Sequence, residues 1–165
     1  MERFPEHARL IGLIIAAWNT TENTLVNLLA FSLHADAKIV APMLYAIQMP
    51  RARLQAIEAG LLELYTGPTQ GQEMKALLDE ARAVLDRRNF FAHAVYGAPD
   101  DAKNPVVVSM KDVDAVSQVQ SISELNKELA RAKALMAHVV DLWTSRSLPE
   151  LRTMPAPPEG GQHHL

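Results

Sequence analysis

The chain of 165 residues contains no cysteine. That absence excludes disulfides, thiolate zinc sites and cysteine nucleophiles together. It agrees with a reducing compartment, and a cytoplasmic protein is expected. Net charge is also scarce: 16 Lys and Arg face 19 Asp and Glu, a formal charge of −3. No large positive field draws phosphate in, so generic polyanion binding is excluded and any nucleic-acid contact has to be local. No phosphate loop, G-x-S-x-G or H-E-x-x-H motif occurs. His7, His34 and His138 are isolated in sequence, and His163 and His164 near the C-terminal end have no accompanying ligands. No metal and no cofactor are therefore expected.

Long hydrophobic runs are missing as well. "LIGLIIAAW" (10–18) resembles the apolar part of a signal peptide, but Glu2 and Glu6 stand where basic residues belong. The helical pattern continues straight on through "TENTLVNLLAFSL", and the apolar run is too short to span a bilayer. We read it as buried helix and expect no membrane partner.

What is present is an ordinary globular composition, 48% apolar. A chain of this length buries roughly 68–70% of its unfolded surface, enough for one core without staples. Apolar residues recur at helical spacing from about Pro5 to Leu33, with Leu10, Ile14, Trp18, Leu25 and Leu29 on one stripe. Glu22 falls within that stripe, and a buried acid needs a partner. "DAKIVAPMLYAIQ" reads as a second helix that Pro42 starts or kinks. "PRARLQAIEAGLLELY" reads as a third, opened by Pro50. "TGPTQG" is the clearest internal break, and a fourth helix is expected from about Gln72 to Ala92.

Beyond it, "AVYG" and "NPVVVSM" are short and β-leaning, separated by the turn-favouring "APDDAK". "SISE" (121–124) is a capping box opening a fifth helix, whose inner face is expected to carry Leu125, Leu129, Ala132, Leu135, Val139 and Trp143. Met43, Met49, Met74, Met110 and Met136 read as core filler. The expected fold is mainly α: an antiparallel bundle of about five helices with a small β-hairpin insertion before the last helix. Residues 1–146 form the expected domain, and 147–165 a loose Pro- and Gly-rich tail.

The chemistry concentrates in "DRRNFFAHAVYG" (86–97). Asn89 and His93 are four residues apart and share a helix face, while Arg88 lies about 140° from His93 at ~100° per residue. Histidine titrates near neutral pH unaided, and arginine offers a permanently charged fork for phosphate oxygens. Together they supply a general acid or base and an electrophilic clamp, the set that RNA cleavage through its own 2′-hydroxyl requires. At least one of Phe90 and Phe91 should be buried and pin the helix end. The plain alternative is helix-end chemistry: histidine favoured by the macrodipole and asparagine satisfying backbone groups. Random placement yields roughly 0.01 copies of R-N-x-x-x-H in such a composition. Two local basic groups, Arg82 with Arg87 and Arg88, and Arg51 with Arg53, are candidate nucleic-acid contacts. Their plain reading is a solvated helix face.

"RNFFAH" resembles the R-x(4–6)-H signature of the HEPN superfamily, the higher-eukaryote and prokaryote nucleotide-binding helical domains. The polar residue after the arginine, Asn89, also fits that pattern. Gly12, Trp18 and Glu22 are similar to the early "G…W…E" helix of a bacterial branch with R-N-x-x-x-H, and the likeness covers roughly residues 8–145. Where many relatives place glycine and then tryptophan after the histidine, this chain has Ala94 and Tyr96, with Gly97 next.

The resemblance implies a helical homodimer whose motif helices face each other, and a metal-independent endoribonuclease of toxin or defence type. Under it His93 is the general base or acid, Arg88 holds the scissile phosphate and Asn89 positions it. Glu22 orients Arg88 or His93, or else serves a plain buried salt bridge. Apart from the resemblance, Arg82 and Arg87 of the local basic group are the candidate nucleic-acid contacts. The alternative it leaves open is a non-catalytic module that binds a nucleotide, or that partners an antitoxin or nucleotidyltransferase protein.

Overall fold

Helix α1 (Pro5–Ser32) is the axis about which the other elements are arranged; α2, α3, α4 and α5 all contact it, and α5 lies along much of its length. The computed structural model describes residues 4–97, 106–109, 117–119 and 121–144. The expected "APDDAK" turn and the tail from residue 147 lie outside the described residues.

Pro5 opens α1 at the position where a missing N–H costs nothing. Its end is a Schellman motif: Ala35 N–H reaches the Ala30 carbonyl at 2.9 Å and His34 N–H the Phe31 carbonyl at 3.0 Å. The residue that must turn left-handed is His34, at φ 52°. Helix α2 (Ala37–Tyr45) follows at once, with Asp36 accepting from Lys38 N–H at 2.8 Å. Pro42 lies inside α2 rather than at its start.

Helix α3 (Pro50–Leu64) crosses α1 closely at Gly60, where a Cβ would sit 2.7 Å from Leu29 Cδ1. Helix α4 (Pro68–His93) begins four residues before the expected Gln72, because Pro68 suits a first helical turn. Gly71 fits there for a steric reason: a Cβ would lie 2.8 Å from the Tyr65 carbonyl oxygen.

Between α4 and the last helix, β1 (Ala94–Gly97), β2 (Val106–Ser109) and β3 (Ser117–Val119) pair antiparallel in the order β1-β2-β3. Ala94 sits opposite Ser109, and Val106 opposite Val119. Helix α5 (Ile122–Thr144) opens on its capping box: Glu124 accepts from Ser121 N–H at 2.9 Å, and Glu124 N–H donates to Ser121 Oγ at 3.2 Å. The molecule is thus mainly a helical bundle.

The core has two parts. The larger is built on Trp18, Leu25, Leu28, Leu54, Ile57, Leu61, Leu78 and Leu85. The smaller joins Leu10, Ile11, Ile14, Leu125 and Leu129 around Phe91, with Phe90 partly buried beside it. Phe91 is 1% exposed and anchors the end of α4. A fully buried phenylalanine contributes about 1.5–3 kcal/mol of transfer free energy, so the last turn of α4 is a fixed platform.

Three apolar expectations are corrected. Trp143 is exposed, because α5 turns Val139 and, in part, Leu142 inward at its end. Met43 is exposed because α2 has only nine residues and buries Leu44 alone, and Met49 is exposed at the N-cap position before α3. No described helix is long and apolar enough to cross a membrane.

Candidate functional site

The last two turns of α4 carry the motif. Arg88 Nη1 donates to Asn89 Oδ1 at 3.0 Å, so these neighbours act as one unit. Both are half-buried, whereas His93, one turn beyond Asn89 on the same face, is exposed. The buried Phe91 between them holds the turn in place.

Glu22 lies opposite, in the middle of α1. It was expected to orient Arg88 or His93, or else to serve a plain buried salt bridge; its ion-pair partner is Arg53 of α3, with Nη1 at 3.0 Å from Oε2. The two side chains are only 12% and 9% exposed. Arg53 also donates from Nε and Nη2 to the Ile47 carbonyl, at 3.2 and 2.9 Å. Its guanidinium lies over the Tyr45 ring, 4.7 Å from the centroid, and the Tyr45 hydroxyl bonds Asn23 Oδ1. Arg53 is therefore held on three sides and is no part of a solvated helix face. Arg51, two residues earlier, is exposed and lies 3.9 Å from Asp86.

Burial raises the Glu22 carboxyl above its ordinary range; Arg53, and more weakly Arg88, pull it back down. Arg88 is thus within electrostatic reach of Glu22. Burial likewise raises the Tyr45 hydroxyl, and the Glu22 charge adds to this against Arg53. Among the described residues, the buried side-chain atoms without a hydrogen-bond partner are Glu22 Oε1 and Arg88 Nε. An orphaned buried donor or acceptor costs about 1–3 kcal/mol. Among the described residues, the two orphans belong to groups that interact electrostatically.

The other arginines of α4 turn elsewhere. Arg82 bonds Glu58 of α3 and Asp79, and these acids hold its guanidinium above the usual arginine range. Arg87 pairs with Glu128 of α5 at 3.0 Å and lies over the Phe90 and Phe91 rings at 5.1 and 4.9 Å. Consecutive helical residues diverge by about 100°, so Arg87 and Arg88 serve different faces. Arg88 and Asn89 are brought together, Glu22 is brought within reach of Arg88, and Arg82 and Arg87 are each paired with acids inside the chain.

Sequence reasoning missed Arg53 and Tyr45 as members of this cluster. The signal for Arg53 was the demand of Glu22 for a partner, but nothing in the spacing chose among the available cations. A separate groove of about 560 Å³ runs between the first half of α4 and the second half of α5, floored by Met74, Leu77 and Leu135. None of Arg88, Asn89 or His93 lines it. Among the described residues no group of three or more His, Asp or Glu is placed to hold a metal ion. Comparison with protein-family models, with curated proteins and with solved structures returns no match for this chain.

Proposed function

We propose that the chain is a HEPN-like, metal-independent endoribonuclease that works as a homodimer, with Arg88, Asn89 and His93 of each copy facing one shared pocket. The observation that carries this reading is the Arg88–Asn89 hydrogen bond on the pinned end of α4, one turn from an exposed imidazole. Arg88 grips the non-bridging phosphate oxygens, and Asn89 fixes the direction of its fork. His93 of one copy takes the proton from the 2′-hydroxyl as that oxygen attacks phosphorus. The bond from phosphorus to the 5′ oxygen breaks, and His93 of the second copy protonates the leaving oxygen. The products are a 2′,3′-cyclic phosphate and a 5′-hydroxyl end.

The test is incubation of purified protein with labelled RNA in excess chelator. Cleavage should persist in chelator and fall by about 10²–10⁴-fold in His93→Ala, the usual size of an acid–base contribution. Cleavage that is indifferent to His93→Ala refutes the reading.

A second reading, a non-catalytic module that binds a nucleotide or another protein, is favoured by two observations. Arg82 and Arg87, the expected nucleic-acid contacts, are each paired with acids within the chain. Ile39 and Met43 of α2 are 62% and 68% exposed, an apolar face suited to a protein partner such as an antitoxin or a nucleotidyltransferase. Nucleotide-dependent thermal stabilisation without turnover, or a stable complex with such a partner, would select it.

A further inference from the structure

Glu22 is bonded to one guanidinium, that of Arg53, and feels the charge of a second, Arg88, while its Oε1 has no hydrogen-bond partner among the described residues. We infer that Arg53 is a positioning residue of the candidate site: by fixing Oε2 of Glu22 it presents Oε1 to Nε of Arg88, and so aims the Arg88 fork. The functional half of this inference rests on the nuclease reading above. The structural half stands without it.

Three features support the assignment. The orphaned acceptor and the orphaned donor are both buried and chemically complementary, and the Arg88 charge acts on Glu22. Arg53 is itself immobilised by the Ile47 carbonyl and the Tyr45 ring, so it holds Glu22 in a defined direction rather than merely near by. Asn89 already occupies Nη1 of Arg88, so an engaged Nε leaves the outer Nη2 edge as the part of the fork that turns to a ligand.

Burial drives Glu22 toward its neutral form, and Arg53 is the stronger of the two charges opposing it. The charges acting on Glu22 come from Arg53 on α3 and Arg88 on α4, and Tyr45 on α2 feels Glu22 in return. Removing Arg53 therefore leaves Glu22 protonated at higher pH. A neutral carboxyl is the weaker acceptor for a guanidinium.

The deciding measurement is NMR on the full chain: the carboxyl titration of Glu22, and the solvent exchange of the Arg88 Nε–H, assigned by its loss in Arg88→Lys. In Glu22→Gln, which keeps the side-chain shape, exchange should quicken by about tenfold or more, the equivalent of one charge-assisted hydrogen bond. In Arg53→Met the Glu22 titration should move to higher pH, and Arg88 exchange should quicken below that point. Arg53→Lys keeps the charge but loses the fork on the Ile47 carbonyl; it should leave Glu22 ionised while Arg88 exchange still quickens. The lysine variant also serves where the methionine variant does not fold. A merely structural Arg53 would lower the melting temperature and move neither readout.

The inference is overturned if Arg88 exchange is unchanged in Glu22→Gln, or if neither Arg53 variant moves Glu22 or Arg88. RNA cleavage is read alongside. In Arg53→Met its acidic limb should follow the measured Glu22 titration. Wild-type protein that cleaves no RNA refutes the nuclease reading, and the NMR result then still decides the placement of Arg53.

Discussion

Two charged regions of the bundle are built on opposite rules. Along the seam between α4 and α5 each cation has its own carboxylate: Arg87 pairs with Glu128, and Arg131 with Glu80 through two hydrogen bonds. At the junction of α1, α3 and α4, Arg53 pairs with Glu22, Arg88 acts on that carboxylate through its charge alone, and among the described residues two buried polar atoms are left without a partner. The seam is a strut between helices, half open to water and complete in itself. The junction is buried, carries excess positive charge and is incomplete. A surplus of that kind suits an anion-handling site, whereas matched pairs suit fastening.

The sharpest way to break the comparison is Glu22→Ala. It leaves Arg53 without its carboxylate and Arg88 without the nearby negative charge, and removing one partner of a buried pair costs about 3–5 kcal/mol. At roughly 2–4 °C per kcal/mol for a domain of this size, thermal unfolding should show a fall on the order of 10 °C. Glu22→Gln keeps an oxygen acceptor for Arg53 but loses the buried charge, so its melting temperature should fall by less than that of Glu22→Ala. A loss in Glu22→Ala as small as that of a seam variant would erase the distinction.

Arg87→Ala should rank next. It removes a partly buried ion pair and the cation above two phenylalanine rings, together about 1–2 kcal/mol. Urea unfolding should show the change in midpoint with the slope preserved.

A third measurement separates the regions by pH. The folded-state pKa of Glu22 is raised, so its share of stability is fully present below the ordinary carboxylate range. That share is lost as pH rises through the raised value. Glu80 on the seam is held below its ordinary range by its hydrogen bond from Arg131, so its share is present at higher pH and lost on acidification. Stability profiles of Glu22→Gln and Glu80→Gln against the parent should therefore diverge in opposite directions. Parallel profiles would contradict the contrast.

The smallest effect is expected of Arg131→Ala. The pair is about 40% exposed on each side, screened by water and salt, and a loss of 0.2–1 kcal/mol is typical of such pairs. The loss should fade as salt is added.

The helices were legible because periodicity and punctuation agreed. Pro5 and Pro50 open helices where a missing N–H costs nothing, and the Ser121–Glu124 box opens α5 as its spacing requires. The start of α4 was misread because "TGPTQG" contains both a breaker and a starter, and Pro68 acts as the starter. Trp143 was misplaced because periodicity gives a stripe but not the point where neighbouring helices stop covering it. At the candidate site, the spacing of Arg88, Asn89 and His93 put all three late in one helix, and they lie at the end of α4. The partner of Glu22 was not legible, since Arg53 is 31 residues away in sequence and reaches it only across a helix crossing.

By itself, then, the amino-acid order determined a mainly helical bundle, a carboxylate in the apolar stripe of α1 and a polar set late in α4. Those are local properties, set by 3.6-residue repeats, caps and prolines. Only the tertiary structure decided which cation meets which acid: Arg82 with Glu58, Arg87 with Glu128, and Arg53 with Glu22, next to Arg88. The physical reason is that a charge selects its partner by distance and burial, and both exist only once the helices have crossed.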